Sequence, residues 1–256
     1  MTTRIHATAI IDQSAVLGPD VVVEPFAIVG PNVSIGDGVT IGPRVILERD
    51  TTIGSGCSIG AGSIIGSAPQ DLKYAGQPTT VRIGASTVIR EYVTVNRGVM
   101  GPTVIGSDCY IMCYAHVAHD CHLGRGITLG NSVQMAGHVT IDEFVNVGGL
   151  TPIHQFVKIG ARAFVGGGSR VPQDVPPFAL AAGNPLRLYG INVEGLRRAG
   201  FDSGRRSSLK RAYRMLFNSD LNRGEALATI REEFAANEDV MYLVEFVGGS
   251  ERGVLV

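Results

Sequence analysis

Tryptophan is absent from this chain, and charged residues make up only 18% of it. A disordered chain would be rich in charge and poor in aliphatic residues. This one carries 34 glycines and is 45% hydrophobic, which fits a β-rich repeat protein instead. The formal net charge is −1, so no overall field steers it toward nucleic acid or a membrane surface. The first twenty residues, MTTRIHATAIIDQSAVLGPD, lack a basic start followed by an unbroken apolar run, and no signal peptide is expected. No apolar stretch approaches the ~18 residues of a membrane span. The expectation is a soluble, cytoplasmic protein that binds no nucleic acid and spans no membrane. Cys57, Cys109, Cys113 and Cys121 form no CxxC pair, so they read as small core residues with free thiols. There is no Walker motif and no GxGxxG after a strand, which sets aside nucleotide hydrolysis and a Rossmann site.

What the sequence does have is a repeat. Stepping by six from Ile5 meets Ile11, Leu17, Val23, Val29, Ile35, Ile41, Leu47, Ile53, Ile59 and Ile65, all aliphatic. Glycine often follows, as at Gly18, Gly30, Gly36 and Gly42, and the residue four after the aliphatic is small or valine. The spacing predicts an inward aliphatic, a small corner residue, and a glycine whose freedom and small size suit a turn. The phase breaks at residues 66–80, returns unchanged at Ile83, Ile89 and Val95, slips by four around 97–102, and then runs from Ile105 to Val171. Three six-residue strands make an 18-residue coil of a triangular, parallel β-helix. One coil cannot offset its own ordering entropy, so many must stack. The expected plan is a hexapeptide-repeat β-helix over 1–186, with loops projecting near 66–80 and 97–102. A helical domain follows over 187–256, its helices covering the open sheet edge at the last coil.

The 18-residue coil also serves as a ruler. His116, His119, His138 and His154, four of the six histidines, fall within five positions of one another modulo 18. Correcting for the four-residue slip brings Asn96 into the same column, and Gly137 stands one coil beyond His119. A histidine column can act as a base near neutral pH or bind metal. Two chemistries therefore stay open: hydroxyl deprotonation for acyl transfer, or zinc held by His116, His119 and His138 or His154, as in β-helix carbonic anhydrase hydratases. A second feature is charge. Residues 187–214 hold eight basic residues against two acidic ones, a net +6, while the rest of the chain carries 14 against 21, a net −7. That asymmetry points to an acidic or phosphorylated partner near the helical end.

PQDLKYAGQPT (69–79), NRG (96–98), AHVAHDC (115–121), AGHV (136–139), IHQF (153–156), QDVPPF (173–178) and NVEGLRRAGF (192–201) resemble the acyl-ACP:UDP-N-acetylglucosamine O-acyltransferases of lipid A biosynthesis. The resemblance spans nearly the whole chain. It implies an all-β, left-handed parallel β-helix with a C-terminal α-helical cap, assembled as a homotrimer with sites in the grooves between subunits. It implies transfer of an (R)-3-hydroxyacyl chain from acyl carrier protein to the sugar 3-hydroxyl of UDP-N-acetylglucosamine. No metal or other cofactor is implied, the acyl group arriving on the carrier's phosphopantetheine. Carried over by motif, His119 is the general base, Asp120 its partner, and the Gly137 N–H an oxyanion donor. Asp71, Lys73, Asn96, His116, His138, His154 and Gln155 would hold sugar and phosphates. Asn192, Glu194 and Arg198 would take the uridine end, and Gly167 would leave room for a long acyl chain. Three departures stand out: Asn96 where the family often has His, a short loop around Val99–Pro102, and Ala199 in place of a basic residue.

Overall fold

The computed structural model describes residues 2–256. The six-residue step becomes a short strand and a tight turn, repeated along three faces of a prism. The first face is an 11-stranded sheet, and the second and third have eight strands each. Strands one coil apart pair in parallel, Arg4 with Val22 and Ile5 with Val23, which is the 18-residue coil. Across the first break the step is 30, Ser58 to Val88. Across the second it is 22, Thr94 to His116. The breaks are thus insertions of twelve and four residues that leave the faces in register.

The aliphatic and small positions form one continuous core from Val21 to Val175, nearly all under 4% exposed. Burying each aliphatic contributes about 1.5–3 kcal/mol. The first coil is less covered: Ile5 is 47% exposed, against 1% for Val23 one coil on. Gly18, Gly30, Gly36 and Gly42, which follow inward aliphatics, serve close approach rather than unusual backbone angles. A Cβ on Gly30 would lie 1.7 Å from the Glu48 carbonyl of the next coil. The left-handed backbone position falls to glycine in some coils, at Gly38, Gly56, Gly62, Gly126 and Gly168, and elsewhere to non-glycine residues, among them Asn32, Asp50, Asp120, His138 and Phe156. Such a conformation costs roughly 1–2 kcal/mol per residue, offset here by stacking between coils. Asn32 Nδ2 donates to Asp50 Oδ1 at 3.0 Å, and the His138 ring stacks on Phe156 at 4.8 Å.

The end of the prism closes differently from expectation. A hairpin, Ala179–Ala182 against Arg187–Ile191, continues the first face in antiparallel fashion. The boundary expected at 186/187 falls inside it. Four helices then pack on the hairpin and last coils: α1 (Val193–Arg198), α2 (Ser203–Phe217), α3 (Arg223–Glu233) and α4 (Glu238–Gly248). They are fastened by a buried tyrosine, Tyr213, and a half-buried one, Tyr242. Tyr213 Oη donates to the Pro177 carbonyl, and Tyr242 Oη donates to Asp142 Oδ2 at 2.5 Å while accepting the Ala161 amide. The four cysteines are free, and three are buried. Among the described residues no helix is long and apolar enough to cross a membrane.

Candidate functional site

The second-to-third edge of the prism carries the chemistry. His119 and Asp120 occupy the turn after the strand His116–Val117. Gly137 and His138 sit one coil above, and Gln155 and Phe156 another coil above. Backbone hydrogen bonds along this edge fix the stacking: His138 N–H donates to His119 O at 3.1 Å, and Phe156 N–H to Gly137 O at 3.2 Å. In an early coil the same pattern joins Asp50 N to Pro31 O. Pro31 therefore holds the position of His119 and Gly137, and proline has no N–H. Regular coils make no use of the N–H at this position, although Arg97 at the second break donates its own to the Ser67 carbonyl at 3.0 Å, and that of Gly137 is left available.

The His119 ring lies directly over Gly137. A Cβ on Gly137 would stand 2.4 Å from its Cε1 and 2.5 Å from its Nε2. His119 Nδ1 is 2.8 Å from Asp120 Oδ2, and the ring meets His138 edge-on at 5.1 Å. His119 and Asp120 are turn residues, so the alternation of a strand does not separate them. The left-handed backbone of Asp120 (φ 56°) turns its carboxylate toward its neighbour. Asp120 is buried. Oδ2 also accepts the Val99 amide at 2.8 Å, and Oδ1 accepts those of Met100 (2.9 Å) and Gly101 (2.8 Å). Burial pushes the Asp120 carboxyl up, but the amides of Val99, Gly101 and Met100 and the His119 ring together hold it below its ordinary value. An ionised carboxylate only accepts hydrogen bonds. Nδ1 is thus the protonated nitrogen of neutral His119, and Nε2 keeps the lone pair.

His116 lies below, its Nδ1 2.7 Å from Thr94 Oγ1. Burial, then the charge of nearby His119, lowers its pKa and favours the neutral ring. His154 is exposed and turns Nδ1 to the Gln155 carbonyl. Asn96 is buried, and its amide donates to Ser67 Oγ and the Ala68 carbonyl at the root of the 66–80 loop. In that loop Asp71 accepts the Lys73 amide. Three groups are not separated from their surroundings by sequence reasoning. Arg97 roots the loop through Tyr74 Oη and the Gly66 carbonyl. Phe156 backs His138, and the 99–101 amides hold Asp120. Arg97 lies 22 residues before His119, the step of the second break, and that was the available signal.

The remaining expected residues lie elsewhere on the prism. Asn192 caps α1, accepting the Gly195 amide and donating to the Arg162 carbonyl. Glu194 pairs with Arg197 at 3.0 Å and Arg198 at 3.9 Å. These residues border a cavity of about 820 Å³ with Phe144, Phe164 and Tyr189, over the first face. Gly167 is exposed just after the first-face strand Phe164–Val165. In a triangular section the second-to-third edge is opposite the first face, so one protomer does not join the two sets.

A metal reading meets a specific obstacle. Among the described residues, the three ligand groups that come close are His119, Asp120 and His138, within 4.8 Å, not three histidines. The Asp120 oxygens already accept four hydrogen bonds, the capacity of a carboxylate, so this set fits zinc poorly.

A sequence model described as UDP-N-acetylglucosamine O-acyltransferase, domain 2, matches residues 174–255, and bacterial transferase hexapeptide repeats match 14–49, 32–67 and 102–137. An acyl-[acyl-carrier-protein]–UDP-N-acetylglucosamine O-acyltransferase of Paraburkholderia phymatum is 46% identical over 260 residues, covering 99% of each chain. That of Syntrophobacter fumaroxidans is 44% identical over 256 residues, covering 98% of this chain and 99% of its own. Among solved structures, a UDP-N-acetylglucosamine acyltransferase of Bacteroides fragilis superposes with a TM-score of 0.95 at 37% identity, covering 98% of this chain and all of its own. One from Campylobacter jejuni gives 0.92 at 39% identity, covering 99% of each.

Proposed function

The chain belongs to the acyl-[acyl-carrier-protein]–UDP-N-acetylglucosamine O-acyltransferase family, and we propose that it moves an (R)-3-hydroxyacyl group from acyl carrier protein to the 3-hydroxyl of UDP-N-acetylglucosamine, a step of lipid A biosynthesis. The observation that carries the residue assignment is the His119–Asp120 pair lying over Gly137. His119 Nε2 takes the proton of the attacking hydroxyl. The sugar oxygen bonds to the thioester carbon, whose oxygen becomes an oxyanion beside the Gly137 N–H. As the tetrahedral intermediate collapses, the C–S bond breaks and the imidazolium returns its proton to the departing pantetheine thiolate. Atoms and charge balance with these groups alone, so the reading calls for no metal or other cofactor. Carrier-borne chains as donor make it a cytoplasmic enzyme.

His116, His138, His154, Gln155, Asp71 and Lys73 are assigned to the sugar and phosphates on this edge, with Asn96 holding the loop root. Asn192, Glu194 and Arg198 are assigned to uridine and Gly167 to the far end of the acyl chain, supplied by the first face of a neighbouring copy. An edge meeting a face is a heterologous contact, which forms a ring where its rotation closes, and the ring assigned here is the homotrimer. Within the basic segment Arg205, Arg206 and Arg211 are engaged inside the cap, with Asp239, the Phe201 carbonyl and Glu233 respectively. Carrier docking is therefore assigned to Lys210 and Arg214, which flank a 350 Å³ cleft and have no ion pair among the described residues.

The test is mass spectrometry of the products from a mixture of 3-hydroxyacyl carriers with UDP-N-acetylglucosamine and its 3-amino analogue. Wild-type protein should yield O-acylated UDP-N-acetylglucosamine, and His119→Ala should yield none. Product formation unaffected by His119→Ala, or no acylation by the wild type, would refute the assignment.

A further inference from the structure

The four-residue insertion at the second phase break ends in three consecutive amides directed at one carboxylate. Val99 N donates to Asp120 Oδ2, and Met100 N and Gly101 N donate to Oδ1, all within 2.9 Å. The turn is tightly made. A Cβ on Gly98 would stand 1.7 Å from the Gly101 carbonyl and 2.8 Å from Asp120 Oδ1. Thr79 Oγ1 ties the Gly98 carbonyl to the 66–80 loop, and Thr103 Oγ1 accepts the Asp120 amide at 2.9 Å. The Met100 side chain takes no part, being 84% exposed. Successive amides converging on one point form an anion-holding nest. Asp120 is buried, and without such donors burial would favour its neutral, protonated form.

Resting on the acyl-transfer reading above, we propose that Gly98, Val99, Met100 and Gly101 form a positioning device for the reaction, an amide nest that keeps Asp120 ionised and aimed at His119 Nδ1. The nest touches neither substrate nor reacting atoms. It acts by fixing which nitrogen of His119 is free. A protonated or rotated Asp120 could not demand a proton on Nδ1, and the imidazole would lose the tautomer that leaves Nε2 open. The short loop thereby has a task in the chemistry, carried by the amides of residues 99–101.

One backbone hydrogen decides the matter. Met100→Pro removes a single amide donor, and Met100→Ala keeps it while discarding the same side chain. The expected result is a kcat for Met100→Pro at least ~10-fold below that of Met100→Ala, with both KM values within about twofold of wild type. In an Asp120→Asn background the same exchange should cost nothing further, because the nest acts only through that carboxylate. An equal kcat for the two Met100 variants would overturn the proposal. So would an unchanged loss in the Asp120→Asn background, which would mark a general structural role. Failure of wild-type protein to transfer acyl chains would instead sink the reading on which this rests, so the two failures are distinguishable.

Discussion

At the residue scale, His119 and Gly137 are coupled by space as much as by chemistry. The His119 ring fills the volume that a side chain on Gly137 would need. Gly137→Ala should displace the ring by about an ångström and lower kcat by about 100-fold, while thermal unfolding stays close to wild type. A full loss of fold would contradict this. His116 supplies a pH test. Burial and the neighbouring His119 lower its pKa, so the unfolded chain binds this proton more readily than the folded one. Stability should fall as pH drops below the ordinary imidazole value of ~6.5 toward the lower folded value. In urea titrations at a series of pH values, His116→Gln should flatten that slope, and an unchanged slope would count against it. His119 and Gly137 were legible because an 18-residue ruler aligns them. The His119–Asp120 contact came only with the family resemblance and not from the ruler, since it depends on a left-handed backbone at Asp120 that a β-period argument does not contain. Asn96 shares the ruler's column, yet its amide is directed to Ser67 and Ala68. Column position says where a residue stands, not which way its side chain turns.

At the scale of elements, the two breaks in the repeat proved to be insertions of twelve and four residues, and each has an anchor. Arg97 holds the longer loop through Tyr74, and Asp120 holds the shorter one. The three longer helices of the cap were legible from apolar spacing such as Leu209, Ala212, Tyr213 and Leu216. The hairpin before them was not, because the two-residue periodicity of Arg187–Ile191 is hidden in a segment notable for charge. Charge alone did not show which basic side chains are already engaged within the cap. Arg205 makes a two-pronged pair with Asp239 and stacks on Phe201 at 3.7 Å. Arg205→Ala should lower cap stability by about 1 kcal/mol with little change in KM for the acyl carrier. Lys210→Glu with Arg214→Glu should raise that KM severalfold while leaving unfolding unchanged. Steady-state kinetics beside thermal melts separate the two, and the reverse pattern would relocate the docking surface.

At the scale of the whole molecule, the prism presents the histidine edge and the α1 cavity on opposite sides. The repeat made the coil, its faces and its edges readable from spacing alone. Which side meets which could not be read that way, because contacts between copies leave no period in one sequence. The proposed site joins the edge of one copy to the face of the next, so two inactive variants should complement each other. His119→Ala spoils only the edge, and Arg198→Glu only the face. When the two are unfolded together, refolded as a mixture and assayed for acyl transfer to UDP-N-acetylglucosamine, random closed rings should recover about a quarter of the wild-type activity, since one site in four pairs an intact edge with an intact face. Activity no greater than that of the separate variants, from mixed rings shown to have assembled, would contradict a site shared between copies.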